Sequence, residues 1–124
     1  MSGRRILVVD DEPELTRMLQ VLFEHFGFEV QRAHGTAQGM AALATQAPDL
    51  VVLDFMMPHL NGIELCRYIR RDPRTSQLPI IIYSAVSNED NIQAALAAGA
   101  TRFVPKTIAN EQLVQIVNEV LASA

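Results

Sequence analysis

Short apolar runs alternate along this chain with longer segments whose apolar positions recur every three or four residues. The runs are ILVV, LVVL, IIIY and the shorter FVP. Continuous branched aliphatic stretches of this length read as strands buried on both faces, the mark of a parallel sheet. Each run ends in a polar group: Asp10-Asp11, Asp54, Ser84 and Lys106. Open parallel α/β sheets bind their ligands just beyond the carboxyl ends of the strands. The pattern therefore sets three carboxylates, a hydroxyl and an ammonium where such a fold places its chemistry.

The elements follow in order. Arg5 to Asp10 is the first predicted strand. Pro13 suits the first turn of a helix, where its missing N–H costs nothing. That helix carries Leu15, Met18, Leu19, Leu22, Phe23 and Phe26 at helical spacing, and Gly27 stops it. Phe28 to Ala33 is the second strand. Thr36 is placed as the cap of a helix reaching Gln46, with Pro48 beyond it. Leu50 to Asp54 is the third strand, followed by a loop containing Pro58 and Gly62. Asn61 and Glu64 have capping-box spacing at the start of a helix to Arg71, which Asp72-Pro73 ends. Pro79 to Tyr83 is the fourth strand. Ser87 or Asn88 caps a short helix ending at Gly99. Arg102 to Val104 is the fifth strand, and Ala109 to Leu121 the last helix. The expectation is an α/β, doubly wound (βα)5 fold forming one domain over residues 1–124, with helices on both faces of the sheet.

Composition narrows the partners. With 124 residues the chain can bury a core without disulfides, and its one cysteine, Cys66, permits none within the chain. Cys66 is read as a packing residue. The formal net charge is −4, and no basic stripe of the kind nucleic acid requires accompanies it. The arginines at 67, 70, 71 and 74 read as a solvated helix edge. No apolar stretch approaches the ~20 residues of a membrane span. The expected location is cytoplasmic.

The turn Asp10-Asp11-Glu12 argues against a nucleotide or flavin site. Such sites present Gly, Ser or Thr there, so that bare N–H groups meet the phosphate. Three successive acids repel phosphate unless a cation lies between. Mg2+ takes oxygen ligands, typically one or two carboxylates with waters and a phosphate oxygen. One of the aspartates could merely cap the first helix; two of them with Asp54 exceed what capping needs. Lys106, the only lysine among ten basic residues, and Ser84 supply the opposite preference, for phosphoryl oxygens. Asp54 stands between the two halves as a nucleophile able to become an aspartyl phosphate. A phosphatase built on that nucleophile needs an acid two residues further on, where Met56 stands. Leu15 and Met18 exceed one core-facing stripe and are candidates for docking a partner helix. His59, on the loop after Asp54, is a candidate modulator.

VVDDEP, LVVLDFMMPHLNG, IIIYSA, AGATRF and the Lys106 strand end resemble the receiver domain of two-component response regulators, across essentially the whole chain. The resemblance implies a flavodoxin-like five-stranded parallel sheet in order 2-1-3-4-5. It implies a domain that is not an enzyme but assists its own phosphorylation and dephosphorylation. Asp54 would be the phosphoacceptor. Asp11 and Asp54 would bind Mg2+ directly, with the Met56 backbone carbonyl, and Asp10 through water. Ser84, Lys106 and the Ala85 N–H would hold the phosphoryl oxygens. Pro58 and Gly62 would shape the loop beyond Asp54. Ser84 and Phe103 would switch together on activation, altering the surface of the fourth helix, fifth strand and fifth helix. The implied partners are a histidine kinase or phosphotransfer protein and a downstream effector, with homodimer formation left open and no direct contact with nucleic acid or membrane. The alternative is a degenerate receiver acting as a phosphorylation-independent interaction module. The order Pro105-Lys106-Thr107 departs from the family, which mostly follows the lysine with proline across a cis bond.

Overall fold

Alternation along each strand decides which face every side chain joins. In the computed structural model, which describes residues 3–57 and 60–123, five strands lie parallel. They are β1 (Arg5–Val9), β2 (Glu29–Ala33), β3 (Leu50–Leu53), β4 (Ile80–Ser84) and β5 (Arg102–Pro105). Their order is β2-β1-β3-β4-β5, flavodoxin-like. Ile6, Val8, Leu50, Val52, Ile81, Tyr83 and Val104 face one side. There they pack on α1 (Pro13–His25) and α5 (Asn110–Ser123). Leu7, Val9, Val51, Leu53, Ile80 and Ile82 face the other. That layer is α2 (Thr36–Thr45), α3 (Gly62–Arg71) and α4 (Glu89–Ala97). Both faces of β1, β3 and β4 are thus buried, which is why these strands read as unbroken apolar runs.

Several local rules operate as the sequence implies. Pro13 opens α1, and Gly27 adopts a φ of 93° just past its end, a left-handed turn suited to glycine. Asn61 caps α3 and Asn88 caps α4, each side chain accepting from the backbone N–H three residues on. Pro105 sits on the edge strand, where its missing N–H interrupts no ladder. The described peptide bonds are all trans, Val104–Pro105 and Lys106–Thr107 included.

Three features depart from expectation. Met56–Met57 and Leu60–Asn61 form a two-stranded antiparallel ladder after β3, too short for periodicity to signal. Gly35, not Thr36, precedes α2, and the Thr36 hydroxyl accepts instead from the Asn61 N–H at 3.0 Å. Arg70 is not a solvated edge residue. Its guanidinium is partly buried and donates to the carbonyls of Leu78 (2.6 Å), Gly99 (2.9 Å), Ser76 (3.3 Å) and Thr75 (3.4 Å). It thereby ties the end of α3 to the starts of β4 and β5. Pro58 and His59 lie outside the described residues.

Candidate functional site

The carboxyl ends of β1, β3 and β5 converge on one ammonium. The Asp10 N–H donates to Ala33 O and the Asp54 N–H to Val9 O, both at 3.0 Å, so the ladder continues into the site and fixes both backbones. Parity with Val8 and Val52 carries both side chains toward the α1/α5 side, where Lys106 also projects after Val104. Lys106 Nζ lies 3.0 Å from Asp10 Oδ2 and 3.2 Å from Asp54 Oδ2, with Glu12 Oε1 at 3.5 Å. Asp10 is 2% exposed and Asp54 3%. Their other oxygens are also engaged. Asp10 Oδ1 accepts from the Glu12 N–H at 3.0 Å, and Asp54 Oδ1 from the Phe55 N–H at 2.6 Å.

Charge follows from burial. Removal from water pushes the Asp54 carboxyl above its ordinary range; Lys106 opposes this, the neighbouring Asp10 carboxylate reinforces it, and the Phe55 N–H pulls down again. Burial works against the Lys106 charge as well, but the hydrogen bond and field of Asp10, followed by those of Asp54, outweigh it and hold the ammonium above the usual lysine value. The three groups form a charged knot with a net charge of −1.

Ser84 is buried at the end of β4 and its Oγ accepts from the Val86 N–H at 3.2 Å. Its carbonyl accepts from the Lys106 N–H at 2.9 Å, which places hydroxyl and lysine on adjacent strand ends. Ala85 is exposed, and among the described residues its N–H has no hydrogen-bond partner. Phe103, partly buried on the opposite face of β5, meets Phe55 edge-on at 6.5 Å. A Cβ on Gly62 would stand 2.6 Å from Phe55 O and 2.7 Å from Asp54 O, so only glycine lets the start of α3 come this close to the Asp54 backbone.

The acidic groups are arranged differently from a ready-made metal cluster. Among the described residues no three acidic, thiol or imidazole groups gather as a cation site. Asp11 is partly exposed and takes no part in the Lys106 knot. Of the three carboxylates expected at this rim, two meet at Lys106: strand parity turns Asp10 and Asp54 toward it, and Asp11, one residue on, lies outside that contact. Their chemistry still fits a hard divalent ion. Two buried carboxylates under-neutralised by one ammonium, a third acid one residue away and the Met56 carbonyl two residues past Asp54 are oxygen donors of the kind Mg2+ takes alongside retained waters.

The docking candidates diverge. Leu15 is half-buried against the α1/α5 core. Met18 is 39% exposed and lines a shallow groove with Arg17, Val21, Leu22 and Asn110. Cys66 is fully buried among aliphatic side chains, and burial pushes its thiol up to about 11. The sequence reading missed the partners of His34 and Thr36. Their only signal was position, just past the end of β2 at the same rim.

A five-stranded doubly wound parallel sheet whose carboxyl rim gathers an aspartate pair and a lysine defines a flavodoxin-like α/β domain. The chain belongs to the family described as the response regulator receiver domain, whose model matches residues 6–118. It is 39% identical over 121 residues to the phosphate regulon transcriptional regulatory protein PhoB of Pseudomonas aeruginosa, covering 98% of this chain and 53% of that protein. It thus spans about half the length of several curated relatives that it matches. Protein PilH of the same organism is 34% identical over 118 residues, which cover 95% of this chain and 98% of PilH. Among solved structures, a putative response regulator from Chloroflexus aurantiacus superposes with a TM-score of 0.91 at 29% identity, covering 98% of this chain and 99% of that one. The BeF3-activated receiver domain of Klebsiella pneumoniae RstA gives 0.88 at 26% identity, with 95% and 98% covered. Among the described residues no helix is long and apolar enough to cross a membrane.

Proposed function

We propose that this domain accepts a phosphoryl group on Asp54 from a phosphohistidine of a histidine kinase or phosphotransfer protein, and that the modification switches a binding surface for a downstream effector. The observation that carries the reading is the buried Asp10–Lys106–Asp54 knot. A carboxylate nucleophile is held there with its Oδ2 facing an ammonium that can move onto an incoming phosphoryl oxygen. In the transfer the P–N bond of the donor breaks and an Asp54 O–P bond forms, the electron pair returning to the imidazole. Such transfers proceed through a loose transition state, so positioning and charge stabilisation are the protein's main contributions.

Asp10, Asp11, Asp54 and the Met56 backbone carbonyl are the groups that would hold Mg2+, which supplies positive charge against the phosphoryl oxygens. Lys106, released from one or both carboxylates, balances the phosphoryl oxygens on the other side. The Ala85 N–H, without a partner among the described residues, and the Ser84 hydroxyl complete that half. Drawing Ser84 toward the new oxygens breaks its bond to the Val86 N–H and opens room for Phe103 to turn inward from its edge contact with Phe55. That is a shift between two packings on the face made by α4, β5 and α5.

Intact-mass measurement after incubation with acetyl phosphate and Mg2+ tests the proposal, with Asp54→Asn as control. One phosphoryl adduct, lost in the variant, is expected. No adduct on the parent chain would refute phosphoacceptance and leave the phosphorylation-independent interaction module.

A further inference from the structure

The connection between β2 and α2 contributes no acid and no phosphoryl-holding group, yet its residues are bonded to the two segments that carry the acids, after β1 and after β3. Ala33 O accepts from the Asp10 N–H. His34 Nε2 lies 3.0 Å from Thr16 Oγ1, and that fully buried hydroxyl also bonds Pro13 O at 2.9 Å. A hydroxyl has one proton, and a carbonyl oxygen can only accept, so Thr16 donates to Pro13 and accepts from His34. Nε2 therefore carries hydrogen. The Thr16 N–H donates to Glu12 O at 3.1 Å, so this link grips α1 directly behind Asp10-Asp11-Glu12. On the other side Thr36 Oγ1 accepts from the Asn61 N–H at 3.0 Å. Asn61 pairs with Met56 in the short ladder and caps α3. The three residues from His34 to the first residue of α2, Thr36, thus bridge the acidic turn after β1 and the loop after Asp54.

We propose that His34 and Thr36 are positioning residues for the divalent cation. Together they set the distance between the acidic turn and the Met56 carbonyl. Neither touches the ion. His34 reaches the acidic turn through Thr16, and Thr36 reaches Met56 through Asn61; partners bonded to the ligands themselves typically change metal affinity by about 10- to 100-fold, and these two, one bond further out, belong at the low end. Thr36 is the first residue of α2 rather than its cap, which leaves its hydroxyl to the neighbouring loop. The proposal rests on the reading of this rim as a Mg2+ site.

The test titrates the full chain with MgCl2 alone and follows the backbone amides of residues 10–12 and 55 by NMR. Thr36→Val keeps the shape and removes the hydroxyl; Thr36→Ser restores the hydroxyl. His34→Phe removes the donor to Thr16, and His34→Gln keeps an N–H near it. Weakening of about 10-fold is expected in Thr36→Val and His34→Phe, with recovery in Thr36→Ser. The Mg2+ concentration for half-maximal phosphorylation by acetyl phosphate should rise in parallel, while the rate at saturating Mg2+ stays near the parent value. A purely structural role would lower the melting temperature and leave the Mg2+ affinity of the folded protein unmoved; that result overturns the proposal. If the valine variant does not fold, Thr36→Ala and the His34 pair carry the same comparison. Mg2+ shifts in the parent with unchanged affinity in the variants would overturn the clamp alone. A parent chain without Mg2+ shifts would overturn both the clamp and the metal reading.

Discussion

Replacing Lys106 by methionine keeps the side chain's length and removes its charge. Two carboxylates, 2% and 3% exposed, then face each other without the ammonium that lies 3.0 Å from one and 3.2 Å from the other. Breaking a buried ion pair from one side typically costs about 3–5 kcal/mol, because the surviving charge stays desolvated. In a domain of this size each kcal/mol moves the melting temperature by about 4 °C, so a drop of about 10–20 °C is expected at neutral pH. The pH dependence has a definite sign. Asp54 is already raised in the folded state, and the variant loses the group that most opposes the rise. Between the ordinary carboxylate value and the raised one, the folded protein binds more protons than the unfolded chain, so stability falls as pH rises. The deficit of Lys106→Met should therefore be large at about pH 7 and shrink toward about pH 4. Lys106 itself is raised, so its stabilising contribution is complete below the ordinary lysine value and is lost as pH climbs through the raised one. Parent and variant should converge again in strong alkali. Thermal melts followed by circular dichroism across this range provide the assay. A variant melting within about 3 °C of the parent at neutral pH, or a deficit that grows on acidification, would refute the reasoning.

Three further outcomes follow from particular contacts. Gly62→Ala drives a Cβ to within 2.7 Å of two backbone carbonyls at Asp54 and Phe55, and should cost about 1–3 kcal/mol in denaturant unfolding while slowing acetyl phosphate labelling. Arg70→Ala strands four carbonyls at the base of β4 and β5; a loss of about 2–4 kcal/mol is expected, and unchanged stability would show the guanidinium to be dispensable. Met18→Glu, on an exposed part of α1, should leave folding and labelling by acetyl phosphate intact but impair transfer from a protein phosphodonor; equal loss of both activities would remove Met18 from the docking surface.

The order of elements was legible because strands buried on both faces need unbroken apolar runs, and the helices between them need a stripe. Even the polar ends were legible, since an aspartate or lysine directly after such a run must emerge at the sheet's edge. Tertiary structure alone decided how those ends pair. In the sequence Asp11 and Asp10 look equivalent, but strand parity sends Asp10 to Lys106, 96 residues away, and leaves Asp11 outside the knot. Arg70 looks like its exposed neighbours until the starts of β4 and β5 bring four carbonyls around it. Thr36 looks like a helix cap until the loop after Asp54 offers it an N–H. Local propensity describes what a residue can do with its neighbours in sequence. Which of several available partners a hydrogen-bonding group takes is settled by long-range packing, and that is where this site is made.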